Sequence, residues 1–152
     1  MKKKLVISTL FLAFVFTTSC SSNKTVYEKD SSSTKNNSTT NTSNTSKISS
    51  GFTDRKISNN EYEITYRGLK MNKKKVYDMA LLRAAEIGKE KGKENFVILS
   101  NTSESVKNSN LKYNLSTIKV AYYDDVPAKY GTYYNSYNEY NRVSSKYNVI
   151  KK

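Results

Sequence analysis

The 152-residue chain has no histidine, one cysteine, one proline and five glycines. Without histidine, neither a Ser-His nor a Cys-His nucleophile pair can be assembled, and a zinc site of the usual His/Cys kind is excluded as well. The lone thiol, Cys20, cannot close an internal disulfide. Five scattered glycines are too sparse for a loop that cradles phosphates. Carboxylates are the remaining chemistry: Asp124 and Asp125 are adjacent, and Glu61 and Glu63 share a strand face. The aspartates precede Val126 and Pro127, where a polar turn is the ordinary explanation, and the glutamates read as a solvated face. The chain is therefore read as a non-enzyme, with no catalytic residue, no cofactor, no nucleotide and no metal expected.

Cys20 takes its meaning from what precedes it. Met1 is followed by Lys2, Lys3 and Lys4, then by the apolar run LVISTLFLAFVF. These are a charged and a hydrophobic region of signal-peptide proportions, too short for a permanent bilayer-spanning helix. Thr17, Thr18 and Ser19 close the run immediately before Cys20. A hydrophobic run ended by small residues and a cysteine resembles a bacterial lipobox, with Thr17 standing where leucine is usual. The resemblance implies that residues 1–19 are a lipoprotein signal peptide. Cys20 would then be the first mature residue, with acyl chains (palmitate among them) on its sulfur and amine. Several chains, each gaining about 0.8 kcal/mol per buried methylene, hold a protein at a membrane where one chain does not. Ser21 resembles the residue that permits export to the outer membrane, facing the periplasm. The alternatives are an ordinary secretory signal with an incidental cysteine, or an uncleaved anchor.

Residues 20–50 are read as the lipidated cysteine followed by a tether, SSNKTVYEKDSSSTKNNSTTNTSNTSKISS. So few apolar groups cannot offset the entropy of ordering, which predicts disorder. A coil of this length spans about 30 Å, and about 100 Å when fully stretched. Its N-x-S/T triplets read as composition rather than as glycosylation sites.

Residues 51–152 are long enough for one small core. The stretch EYEITYRG alternates, with Tyr62, Ile64 and Tyr66 on one face, and predicts a half-buried strand ended by Gly68. Asn72 can cap a helix over KKKVYDMALLRAAEIGKEKG that stops at Gly92. Val76, Met79, Ala80, Ala84 and Ile87 form its apolar stripe. Asn95 to Leu99 is a continuous apolar run, read as a strand buried on both faces. The order strand, helix, strand predicts a crossover that leaves the two strands parallel. After a polar loop, SNTSESVKNSN, comes a third strand, LKYNLSTIKVAYY, whose two apolar phases predict a bulge near Ser116 and Thr117. Tyr134, Tyr137, Tyr140, Val143 and Tyr147 are spaced for a short terminal helix packed on the sheet. The fold class is α+β, one main helix on a three-stranded sheet in the order β-α-β-β, with the C-terminal helix added.

Several of these stretches resemble an uncharacterised family of small bacterial cell-envelope lipoproteins. They are the start Gly51, Phe52, Thr53 and Asp54; the strand positions Tyr62, Ile64, Tyr66 and Gly68; and Leu81, Arg83, Ala84, Ala85 and Glu86 ahead of Gly92 and Phe96. The resemblance covers about half of the chain, and the Tyr/Asn-rich tail departs from it. It implies the architecture and an envelope location, and it brings no activity and no catalytic residues.

Charge is the remaining signal. The chain carries 26 basic and 13 acidic residues, a net of +13; setting aside Lys2, Lys3 and Lys4 leaves 23 against 13, or +10. A basic anchored domain suits an envelope protein of binding or structural role. As an alternative, it suits a module that captures an anionic polymer: cell-wall polymer, lipopolysaccharide or nucleic acid. Lys73, Lys74 and Lys75 oppose the dipole at the start of the helix. Eight of the 13 tyrosines follow Tyr113 among Asn, Ser and Lys, a pattern that fits either a stacking surface or a packed helix face. Both the lysines and the tyrosines also suit the plain composition of an AT-rich genome. Arg83 falls inside the apolar stripe, so its guanidinium must reach solvent along its stem, pair with Glu86 or a carboxylate from another element, or await an anion. Pairing with Glu86 is the expectation.

Overall fold

Alternation of apolar and polar residues sets the centre of the sheet. In the computed structural model, which describes residues 25–29, 49–108 and 111–151, strand β3 spans Glu61–Leu69. It buries Ile64 and Tyr66 and packs Tyr62 against the core, as its period-two pattern requires. Before it, β2 (Gly51–Lys56) forms the antiparallel partner, a strand that the sequence pattern did not announce.

Asn72 then caps α1, Lys73–Glu90, its side-chain carbonyl accepting from the Lys75 N–H at 2.8 Å. Gly92 follows at φ 65°, the left-handed conformation that ends a helix with little strain when the residue is glycine. The predicted stripe is buried in full, and Leu81, Leu82 and Ala85 are buried beside it. The helix is covered on more than one side because α2, Ser136–Tyr147, packs against it. Asn135 caps α2, and Asn148 ends it in the left-handed region at φ 47°. The terminal helix is thus where tyrosine spacing placed it, but it rests on α1 rather than on the sheet. Val143 is its fully buried anchor.

The remaining strands are β4 (Asn95–Asn108), β5 (Leu111–Tyr123) and β6 (Tyr134–Asn135). With β2 and β3 they form one five-stranded antiparallel sheet in the order β2-β3-β5-β4-β6, so the domain is α+β with two helices. Three expectations are corrected here. The sheet has five strands, not three. The strands either side of α1 run in the same direction but do not pair, because β5 lies between them and binds both antiparallel. The stretch expected as a polar loop is mostly the second half of β4. It escaped notice because it is an exposed edge, where polar residues protect against unwanted pairing and leave no apolar alternation. The run Asn95 to Leu99 buries Phe96 and Val97 fully, with Ile98 and Leu99 half-buried.

The bulge exists, but on the other strand. Ile98 pairs with Val120 and Ser100 with Lys119, leaving Leu99 as the extra residue in β4, while β5 runs unbroken. Consequently Asn114 and Ser116 point inward in phase with Ile118, Val120 and Tyr122, all of them buried. Tyr122 also donates its hydroxyl to the Ala84 carbonyl at 2.7 Å, tying sheet to helix.

At Gly88 the two helices are in tight contact. A Cβ there would lie 2.2 Å from Ser136 Oγ and 2.9 Å from Ser136 Cβ. Gly88→Ala gains about 1 kcal/mol of helix propensity but must displace the first residue of α2, an overpacking cost of about 1–3 kcal/mol. A net loss of stability in urea unfolding is the expected outcome.

A second pairing corrects the tether. Strand β1, Thr25–Tyr27, runs parallel to β7, Val149–Lys151, at the end of the chain. Tyr27 is 2% exposed and stacks on Phe52 at 4.9 Å and Tyr66 at 6.1 Å between ring centroids. Glu28 accepts from the Phe52 N–H. Residues 25–29 therefore belong to the fold; the tether expected over 20–50 is not one uninterrupted spacer. At its far end Ser50 Oγ accepts from the Leu69 N–H at 2.9 Å; residues 30–48, and the signal peptide with Cys20, lie outside the described residues.

Candidate functional site

Arg83 leaves the buried side of α1 beneath β2 and is fully engaged. Its Nε donates to Asp54 Oδ2 at 2.7 Å, and its Nη1 donates to Glu86 Oε2 and Glu90 Oε1, both at 3.2 Å. The guanidinium carbon lies 4.7 Å from the Phe52 ring centroid. The pairing with Glu86 is present, and the shorter bond comes from Asp54 on another element. Burial alone would lower the Arg83 pKa, yet the hydrogen bond and charge of Asp54 outweigh it and hold the guanidinium charged. Burial, then the Glu86 carboxylate, pushes the Tyr27 hydroxyl well above its ordinary value. One cation among three carboxylates leaves a surplus of negative charge, so this constellation repels an anion. It joins β1, β2 and α1.

A second knot joins the helices. Asp78 lies on α1, off the apolar stripe, and accepts from Lys146 Nζ at 2.7 Å, Tyr147 OH at 2.6 Å and Arg142 Nη2 at 3.4 Å. Arg142 in turn grips Glu139 with two bonds of 2.6 and 2.9 Å. Burial would raise the Asp78 carboxyl, but the hydrogen bonds from Lys146 and Tyr147 and the nearby charges hold it below its ordinary value. Sequence reading passed over Asp78; an acid inside the buried span of an amphipathic helix was the signal.

The tyrosines of the tail are largely spent on packing. Tyr134 stacks on Phe96 at 5.3 Å, and Tyr140 and Tyr147 pack against the core, leaving Tyr133 and Tyr137 exposed. Burial pushes Tyr66 up to about 12 and raises Tyr122 as well. In the unfolded chain these hydroxyls ionise near 10. Because the folded values are raised, their contribution is fully present below about pH 10 and is lost as pH rises toward 12. Alkaline titration should therefore show tyrosinate absorbance and loss of circular dichroism rising together for the buried rings.

Three of the four carboxylates considered for catalysis are paired at the surface. Glu61 meets Lys119 at 3.0 Å, Glu63 meets Arg55 at 2.9 Å and Asp124 meets Lys93 at 2.5 Å. Among the described residues there is no cluster of three or more metal-ligating side chains, and no helix long and apolar enough to cross a membrane.

Several cations without an acidic partner gather elsewhere. Where β3 hands over to α1 and the β4–β5 hairpin closes, an open cleft of about 550 Å³ is lined by Lys70, Lys73 and Lys112. Asn114 shapes it, donating to the Met71 carbonyl at 2.6 Å and accepting from Ser105 Oγ at 2.6 Å. Lys70 adopts φ 55°, a conformation that costs a non-glycine residue about 1 kcal/mol or more. Lys107 stands directly opposite Lys112 across the hairpin, a like-charge pairing that is itself unfavourable. The sequence singled out Lys73, Lys74 and Lys75; the gathering of Lys70, Lys107 and Lys112 around Lys73 depends on strand register. Comparisons with protein-family models, with curated proteins and with solved structures return no match.

Proposed function

We propose that this protein is a lipid-anchored component of a bacterial cell envelope, held by acyl chains on Cys20 and acting by binding or assembly rather than catalysis. The observation that carries the reading is positional. The only cysteine of the chain follows directly on a lysine-led apolar run closed by Thr17, Thr18 and Ser19, the one place where lipid attachment requires it. The likeness of Gly51–Asp54 and Leu81–Glu86 to small envelope lipoproteins supports an envelope location, and Ser21 supports the outer membrane, facing the periplasm. A binding role is supported by the way the described ionisable groups are used: Arg83 and Asp78 hold elements together, and the surface carboxylates neutralise neighbouring cations.

Metabolic labelling with a fatty-acid analogue tests the anchor. The wild-type chain should take up label and fractionate with membranes, and Cys20→Ala should take up none, because no other thiol exists. Label on the variant would show that acylation occurs elsewhere and end the reading.

A further inference from the structure

We infer that the lysine-lined end of the domain rests against a membrane surface carrying anionic phosphate headgroups. The inference rests on the lipid-anchored reading and adds to it the face that meets the membrane. Its first support is the direction of the chain. Lys29 bridges Phe52 in parallel, so residues 25–29 run in the same sense as β2. Followed backward, they point past Gly51. Gly51 pairs with Arg67, Leu69 with Tyr113 and Asn108 with Leu111, so this is the end of the sheet at which β3 finishes and the β4–β5 hairpin closes. Lys70, Lys73, Lys107 and Lys112 lie at that same end.

The second support is length. Thr25 is five residues on from Cys20, and five residues span at most about 18 Å. With β1 held in the fold by Tyr27, the long Ser/Thr/Asn-rich segment after Lys29 connects β1 to β2 and does not separate the domain from its anchor. An acylated Cys20 thus brings the bilayer within that reach of the end toward which the chain runs.

The third support is charge. Among the described residues, Lys70, Lys73, Lys107 and Lys112 have no carboxylate partner. Lys107 and Lys112 face one another across the hairpin. Elsewhere Lys93 is paired with Asp124 and Lys146 with Asp78, and Lys56, also without an ion pair among the described residues, stands opposite Tyr62 rather than another lysine. An arrangement that is unfavourable in water becomes favourable against a plane of phosphates, where each lysine near the surface improves partitioning by about five-fold.

Lysine footprinting of the full acylated chain provides the test. The protein is taken from the envelope in detergent and reconstituted into vesicles of phosphatidylcholine, with or without phosphatidylglycerol. Acetylation at each lysine is then read by mass spectrometry. In the anionic vesicles the rate at Lys70, Lys73 and Lys112 should fall by about five-fold, and high salt should restore it. Lys56 and Lys129, which lie toward the other end, should react equally in both. Equal rates at the three lysines in both vesicles overturn the inference while leaving the anchor intact. Equivalent protection by soluble polyphosphate with neutral vesicles also overturns it, in favour of a captured polymer. A chain that carries no fatty-acid label removes both the anchored reading and this one.

Discussion

Replacing Arg83 with methionine should cost the domain about 3 kcal/mol, one of the two largest single-residue losses expected here. Most of the stem is kept, while the charge and the guanidinium's contact with the Phe52 ring are lost. What remains is Glu86, whose side chain is 3% exposed, beside Asp54 and Glu90 without the cation that bridged all three. Removing one member of a buried ion pair costs about 3–5 kcal/mol. The lower end applies because Glu90 is 57% exposed and recovers its hydration. For a domain of about 100 residues the melting temperature should drop by roughly 15 °C. A companion measurement identifies the cause. Glu86→Gln in the same background should recover part of the loss, so the two changes will not add. A variant as stable as wild type at neutral pH would mean that Arg83 does not bear on Asp54 and Glu86 in solution.

Tyr27→Ala should be comparably severe, about 3–4 kcal/mol. The side chain is 2% exposed and stacks on Phe52 and Tyr66, and emptying such an aromatic site removes transfer energy and leaves a cavity. Tyr27→Phe keeps the ring and removes only a buried hydroxyl that forms no hydrogen bond among the described residues, so it should be nearly neutral, within about 1 kcal/mol. Urea unfolding of the two variants measures both. The contrast matters because it separates a segment that belongs to the core from one that merely lies near it. If both variants match wild type, residues 25–29 carry no fold and Cys20 regains its long spacer.

Which parts of this fold could be read from sequence follows from where apolar periodicity is strong. Tyr62, Ile64 and Tyr66 gave β3 its face, and Val76 through Ile87 gave α1 its stripe, because each element has one wet side and one dry side. The spacing of Tyr134, Tyr137, Tyr140, Val143 and Tyr147 pointed to α2, although Tyr134 precedes the helix and Tyr137 is exposed. Periodicity failed where an element is wet on both sides or dry for another reason. Residues 100–108 form an exposed edge and carry no alternation. Asn114 and Ser116 occupy inward positions of β5 that an apolar rule assigns to Tyr113 and Leu115 instead. Tyr27 was one aromatic in a polar tract, and nothing local distinguishes it from composition. At the Arg83 knot, Glu86 was legible because i and i+3 share a helix face. Asp54 was not, since its distance depends on how β2 registers with the rest of the fold. The lysine-lined end depends on register in the same way: Lys107 and Lys112 become neighbours only once the hairpin is closed.

The measurement that bears most directly on the account is the mass of the N-terminal peptide of the protein isolated from its own envelope. The account predicts a peptide beginning at Cys20, with residues 1–19 removed and a mass increment equal to a diacylglyceryl group, with or without a further acyl chain on the amine. A peptide that begins at Met1, or that contains Cys20 with a free thiol, would contradict it.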